Sequence, residues 1–502
     1  MLNISPPLNL FLKNFKNKKN QIIWKSIKSD LDTPVSAYLK LCKDKENSFL
    51  LESVQDGTYR GRYSIIGTEP DLIWKCNNGI AYIKKIKNNK SFGFIKQKDP
   101  PLISLKKIIN YSKIKIPKDL PPMASGLIGY LSYETIELYE ALPKRKKKTI
   151  PVPDGFFIRP TIMAIFDSIK NEVLFGCPCW YAEDTNPKKK YLELINKIKS
   201  SISELSKSGL VANKNKSYSY KEPSSNLSKS AFFSMINKAK KYIFEGDIFQ
   251  VVLSQRFKTK FSLPPFELYR SLRSLNPSPF LFYMNYKDDK KSSFSLIGSS
   301  PEILVKLENK KITIRPIAGT RIRGKNPKED MYLKKDLLSD PKELAEHLML
   351  LDLGRNDVGK ISKINSVKVT EKMKVEFYSH VMHIVSNVTG IAKNAKNIIN
   401  ILMSGFPAGT VSGAPKIRAM EIINELEPES RGIYAGCVGY FSANGDMETA
   451  IVLRTAVIKN KVMYVQAGAG IVADSIPINE YNETKNKAAA LFKAAENAYK
   501  GY

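Results

Sequence analysis

Short strand-like runs and helical stripes intermix irregularly along this chain, and that irregularity restricts its fold more than any other feature. Short β-like runs at 49–51, 63–66, 81–86, 127–131, 162–166 and 173–176 crowd the first 200 residues. Beyond them, Ser228 is placed to cap a helix whose stripe Phe232, Met235, Ile236, Ala239, Ile243 follows the 3.6 period, with Gly246 at its end. A strand is expected next at 248–257, with Phe249, Val251 and Leu253 on one face and Gln250, Val252 and Ser254 on the other. More strands are expected at 280–285, 294–298, 303–307, 312–316, 438–442 and 462–466. Without strict strand–helix–strand alternation, the pattern predicts an α+β fold of large antiparallel or mixed β-sheets flanked by helices. A polar stretch at 203–228, rich in Ser, Lys and Asn, reads as a linker or surface excursion between regions 20–200 and 229–495.

Composition excludes several classes of function. No stretch approaches the roughly 18 to 20 apolar residues of a membrane-spanning helix, and Met1 to Asn20 has no signal-like apolar core before its lysines. A cytoplasmic protein without membrane attachment is expected. Five cysteines, an odd number with no second pair near Cys177 and Cys179, argue against disulfides and structural zinc. The net charge of +32 is spread along the whole chain and not gathered on one face, which argues against nucleic-acid binding. A positive field still favours an anionic substrate.

Two acidic helix turns suggest chemistry. Asp340, Pro341 and Glu343 form a helix start, with Glu343 able to reach back to the cap, and Glu343, Glu346 and His347 share one face. Near the C-terminus Glu480, Glu483 and Lys487 are spaced alike. Brought together, the two acidic pairs make an all-oxygen site for a hard cation such as Mg²⁺; apart, they are ordinary solvated helix faces. Gly468-Ala469-Gly470 after a strand, and the glycine-rich run 405–416 leading to a helix that Pro415 opens, are either anion cradles or tight turns. Arg454 is either a bidentate carboxylate clamp or a surface ion pair, and His383 either moves protons or is a bonded core residue. These residues suit a small polyanionic substrate and do not name one.

Longer runs carry a resemblance. GDIFQVVLSQRF (246–257), SPE (300–302), PIAGTRIRG (316–324), AEHLMLLDLGRNDVG (345–359), HVMHIVS (380–386), GFPAGTVSGAPK (405–416), YAGCVGY (434–440) and GAGIVADS (468–475) resemble the chorismate-utilising enzymes, in that family's order. The resemblance implies that family's α+β fold, with the active site in the C-terminal region. It makes Glu346 and Glu483 ligands of Mg²⁺, with Glu480 and Glu343 as further acids beside the metal, Glu343 also counted among the catalytic groups. It makes Gly319, Thr320, Tyr434, Arg454, Gly468, Ala469, Gly470 and Lys487 the chorismate contacts. His383 matches the family's active-site histidine and Thr410 a threonine lining the pocket.

Two positions separate the branches of that family. Isochorismate and salicylate synthases carry a lysine base where Gln250 stands, and an amide cannot activate water. Many aminodeoxychorismate synthases carry lysine where Ala318 stands. The chain therefore most resembles the large subunits of anthranilate synthases, which use ammonia to convert chorismate into anthranilate and pyruvate, the first step of tryptophan biosynthesis. The rivals are an aminodeoxychorismate synthase and, from another class, a catalytically silent chorismate- or tryptophan-binding regulator.

The segment Leu50-Leu51-Glu52-Ser53 resembles the LLES segment of anthranilate synthases, which with NPSPFLFYM (276–284) forms their tryptophan feedback site. This implies that Glu52 and Ser53 address the inhibitor's polar groups, that Pro279, Phe280 and Leu281 border the indole, and that Arg62 adds a positive charge. Leu281 replaces the family's usual methionine, a volume-conserving change. Glu448 stands where aspartate is expected. Nothing resembles a glutaminase domain, so a separate glutamine amidotransferase subunit, in a heterotetramer, is the implied source of ammonia.

Overall fold

The computed structural model describes residues 4–43, 45–55, 59–87, 90–207, 220–289, 292–378 and 381–501. Two long strands, Tyr59–Asn77 and Gly155–Asp167, pair along most of their length and form a spine shared by two sheets. Near one end the spine takes Ser48–Gln55 and Glu172–Cys179 as neighbours, and near the other Ile80–Lys87 and Gly126–Leu131.

The first sheet runs from Gln21–Lys28 through the spine to Ser48–Gln55, Phe280–Asp289, Ser292–Ser300, Thr455–Lys459, Val462–Ile471 and Gln250–Lys260. The second continues from Gly126–Leu131 to Cys437–Ser442, Met447–Ile451, Ile303–Glu308, Lys311–Ile314 and Val381–Ile391, the last flanked by Ile317–Ile322 and Lys368–Phe377. All of these ladders are antiparallel, so the expected fold class holds and its antiparallel option is the one realised. Strands from both sides of the polar stretch share each sheet, as where Leu281 faces Glu52.

Apolar residues on both faces of the strands explain the layering. Phe282, Met284, Tyr286, Phe294 and Leu296 of the first sheet meet Ile128, Tyr130, Phe156 and Val438 of the second in a core between the sheets. The alternate residues Leu281 and Tyr283 point the other way, into a core closed by helices Pro265–Leu275 and Pro477–Lys500. The Phe156 and Tyr286 ring centroids lie 4.7 Å apart, a contact worth about 1 kcal/mol beyond its buried area.

Local signals mostly land where the sequence placed them. Ser228 accepts from the Ala231 amide and caps Lys229–Phe244, whose Phe232, Met235, Ile236 and Ala239 are buried. Phe249 departs from its expected place: the strand begins at Gln250, and Phe249 is 71% exposed just ahead of it. Helix Pro187–Leu205 runs past the expected start of the polar stretch, and Ser224–Ser225 pairs back onto the strand at Phe257 and Lys258. Residues 208–219 of that stretch, and His380, lie outside the described residues. All five cysteines are free and buried. No helix among the described residues is long and apolar enough to cross a membrane.

Candidate active site

Asp340 accepts from the Lys342 and Glu343 amides and starts the helix Pro341–Ile361, which packs on strands Ile317–Ile322 and Val381–Ile391. Glu343 does not reach back to this cap; its carboxylate accepts from Arg321, 3.3 Å away, which also binds Asp340. Nor does His347 stay beside Glu343 and Glu346, because it turns into the core and meets the Ser386 hydroxyl at 2.7 Å. Glu346 accepts from the Gln250 amide at 3.0 Å.

The second acidic turn is at the start of Pro477–Lys500, where Lys487 sits 2.6 Å from Glu483 and donates to the Gly468 carbonyl at 3.1 Å. Gly468, Ala469 and Gly470 lie inside the strand Val462–Ile471 and not after it. A Cβ on Gly468 would stand 2.7 Å from the Tyr434 hydroxyl, and one on Gly470 2.7 Å from the Gln250 amide nitrogen, so both glycines keep room for neighbouring polar groups. Ala469 points to the opposite face and is fully buried, which leaves only its backbone to the pocket.

Glu343 and Glu480 both have raised pKa values, through burial first and then through the adjacent carboxylates of Glu346 and Glu483. Each turn thus holds negative charge that its own neighbours only partly neutralise. Among the described residues no three side chains converge into a complete metal cage. The donor set suits Mg²⁺, which is commonly held by one or two carboxylates with water and substrate oxygens completing the shell.

His383 lies opposite Thr320 on the paired strand, its Nδ1 3.0 Å from the Gly319 carbonyl and 3.1 Å from the Thr320 hydroxyl. Burial lowers its pKa to about 4, helped by Arg454 and Lys487 and opposed by the Gly319 carbonyl. The ring is therefore neutral near pH 7, and Nδ1–H donating to that carbonyl leaves Nε2 as an acceptor with no hydrogen-bond partner among the described residues. Arg454 is half-buried at the turn between Met447–Ile451 and Thr455–Lys459, with φ of 47°, a left-handed conformation uncommon outside glycine. Burial lowers its pKa, and it makes no ion pair among the described residues.

Glu302, at the end of the SPE run, is a site residue that motif reading passed over. It is 6% exposed, accepts from the Thr410 hydroxyl at 3.2 and 3.1 Å, and has its pKa raised to about 8 by burial, against the pull of Thr410, Ile317 and Arg454. Its signal in the sequence was a lone acid between a proline and the apolar strand Ile303–Glu308. These contacts join Gln250 to Glu346, Thr410 to Glu302, Thr320 and Gly319 to His383, and Glu483 and Gly468 to Lys487, while the charges of Arg454 and Lys487 both act on His383.

A separate cavity of about 310 Å³ lies where Ser48–Gln55 pairs with Phe280–Asp289. Glu52, Ser53, Arg62, Pro279, Phe280 and Leu281 all line it. Glu52 is already engaged: Arg273 Nε donates to it at 2.6 Å, and the Tyr269 hydroxyl also donates to it. Arg62 turns outward, bonding Asp167 at 2.9 Å and covering the Tyr63 ring. The cavity wall adds Lys306 and Glu448, the latter accepting from the Tyr440 hydroxyl at 2.8 Å.

Residues 49–493 match the family model described as chorismate binding enzyme. The chain is 48% identical over 495 residues to the anthranilate synthase component 1 of Cereibacter sphaeroides, covering 97% of each protein. It is 42% identical over 481 residues to that of Aquifex aeolicus, covering 95% of this chain and 94% of the relative. The crystal structure of anthranilate synthase component I from Streptococcus pneumoniae superposes with a TM-score of 0.76 at 38% identity, covering 93% of this chain and 98% of that one. A menaquinone-specific isochorismate synthase from Escherichia coli, 19% identical with a TM-score of 0.68, shares the fold. The chain belongs to the chorismate-binding enzymes, in their anthranilate synthase component 1 branch.

Proposed function

We propose that this anthranilate synthase component 1 adds ammonia to C2 of chorismate with loss of the C4 hydroxyl, then eliminates pyruvate to release anthranilate. The observation that carries the reading is that a neutral histidine, His383, and a carboxyl that keeps its proton near neutrality, Glu302, lie within the field of Arg454, which has no ion pair among the described residues.

In this reading Arg454 and Lys487 bind substrate carboxylate, and Tyr434, Thr320 and the backbone of residues 468–470 orient the ring. Glu346 and Glu483 hold Mg²⁺, with Glu480 and Glu343 beside them. When bound, the cation supplies charge neutralisation at a substrate carboxylate. Glu302 gives its proton to the departing hydroxyl, and the Nε2 of His383 takes the C2 proton as pyruvate leaves. Gln250 spends its amide on Glu346 and offers no base to activate water, which leaves ammonia as the nucleophile. Ala318, 9% exposed just before Gly319, has no nucleophile for a covalent adduct and disfavours the aminodeoxychorismate synthase alternative.

The second cavity is assigned to feedback inhibition by L-tryptophan, with Ser53 and the backbone of Leu281 near its polar end. Ammonia comes from a glutamine amidotransferase subunit in a cytoplasmic heterotetramer. Chorismate loss and pyruvate release, followed together, test the reaction: the two should match one for one and only with ammonium present. Pyruvate formed at the same rate without ammonium would make water the nucleophile and overturn the reading.

A further inference from the structure

We infer that the buried Arg431–Glu427 pair is a positioning device that holds the Thr410 loop, the Gln250 strand and Tyr434 in one arrangement around the reacting end of the pocket. The inference rests on the reading of that pocket as a chorismate-aminating site.

The side chains of Arg431 and Glu427 are 1% and 4% exposed. Arg431 Nε donates to Glu427 Oε2 at 2.9 Å and Nη2 to Oε1 at 2.6 Å. Its remaining bonds go to main-chain carbonyls: Nη1 to Val411 at 2.6 Å and Nη2 to Val252 at 2.6 Å. Val411 directly follows Thr410, the partner of Glu302. Val252 lies two residues beyond Gln250 and faces Gly470 across the ladder, so its position sets where the Gln250 amide meets Glu346. Glu427 extends the grip, since its Oε1 accepts from both the amide and the hydroxyl of Ser254, at 2.9 and 2.8 Å. The guanidinium also stands 5.6 Å from the centre of the Tyr434 ring and 4.8 Å from that of Tyr133.

Stability alone does not call for such a pair, because apolar side chains of similar volume commonly serve a core as well. Apolar side chains cannot hold a loop carbonyl and a strand carbonyl at fixed directions, and lysine supplies the charge without the planar fork. Among the described residues, Arg454, Lys487 and the two acidic turns make no hydrogen bond to Arg431 or Glu427, and the pair reaches Glu346 only by way of Gln250. Disturbing the pair should therefore slow turnover more than it weakens binding.

The test is steady-state kinetics of the full chain with chorismate, Mg²⁺ and ammonium, beside near-UV circular dichroism, for Arg431→Lys, Glu427→Gln and the double variant Arg431→Met/Glu427→Leu. In the single variants kcat should fall by about thirtyfold or more, as misplacement by a fraction of an ångström to an ångström allows, with the KM for chorismate and the Mg²⁺ half-saturation within about threefold of the parent. The double variant, with an apolar core restored, should keep the native near-UV spectrum and remain slow. The inference is overturned if a folded single variant keeps kcat within about threefold of the parent. It is equally overturned if the loss appears in KM alone, if the double variant regains parental kcat, or if all three variants lose the native spectrum. A parent chain that makes no anthranilate overturns the functional reading first, and this inference with it.

Discussion

Thr410 donates its hydroxyl to both carboxylate oxygens of Glu302, at 3.2 and 3.1 Å, in a setting so buried that the acid's pKa still rises to about 8. The folded state therefore keeps a proton on Glu302 at pH values where the unfolded chain has lost it. By linkage, the stability that this proton contributes is complete below the unfolded pKa and is lost as pH rises through about 8. Glu302→Gln should gain stability over the parent progressively between pH 5 and 8, read as a widening difference in Tm. The same variant cannot donate an acid proton, so its kcat should fall by roughly a hundredfold or more. A constant Tm difference across that range, with kcat intact, would remove Glu302 from the mechanism.

His383 runs the other way. Its pKa is lowered to about 4, so its neutral form is the one the fold favours, and the stability linked to it is present above the ordinary histidine value and lost as pH falls towards 4. His383→Asn should lower kcat by about a hundredfold with a smaller change in KM, because it loses the ring base while keeping a polar group near the Gly319 carbonyl. An effect confined to KM would make His383 a binding residue only.

Arg454 is predicted to act in binding. Arg454→Ala should lower kcat/KM for chorismate by roughly ten- to a hundredfold, the range for a charge-assisted hydrogen bond. Arg454→Lys should recover part of that loss, since it keeps the charge and not the fork. Near-parental kcat/KM in both variants would show that no substrate carboxylate rests there.

The acidic turns should reveal themselves through metal titration. Glu346→Gln and Glu483→Gln each remove one hard anionic donor and should raise the Mg²⁺ concentration for half-activity about tenfold or more. Chelation by EDTA should stop the parent reversibly. Activity that persists in EDTA would dismiss the metal.

None of His383, Arg454 and Lys487 lines the cavity beside Ser53, so inhibition and catalysis should separate by mutation. Ser53→Ala should weaken tryptophan inhibition by about tenfold, the loss of one or two hydrogen bonds, and leave kcat within about twofold. Unchanged inhibition would move the regulator elsewhere.

Legibility in the sequence followed the reach of the interaction. Strand runs such as 127–131, the Ser228 cap and the Asp340 cap depend on neighbours a few residues away, and the fold keeps them. Even the contact between LLES and NPSPFLFYM was signalled by motif, and the two segments pair directly at Glu52 and Leu281. What escaped depended on distant partners. Arg321 draws Glu343 away from its own helix cap, Asp167 draws Arg62 outward, and Arg273 occupies Glu52. Spacing puts His347 on the acidic face because it does not tell a buried i+4 position from an exposed one. Glu302 carries no such signal, because its role comes from burial against Thr410 and not from any spacing.

Anthranilate fluorescence from the purified chain alone, supplied with chorismate, Mg²⁺ and an ammonium salt at mildly alkaline pH and checked by product mass, tests the central claim most directly. The account predicts anthranilate and pyruvate in equal amounts, abolished by EDTA and suppressed by tryptophan. Accumulation of 4-amino-4-deoxychorismate or isochorismate in place of anthranilate would contradict the roles given to Ala318 and Gln250, and binding of chorismate without any product would point to a silent regulator.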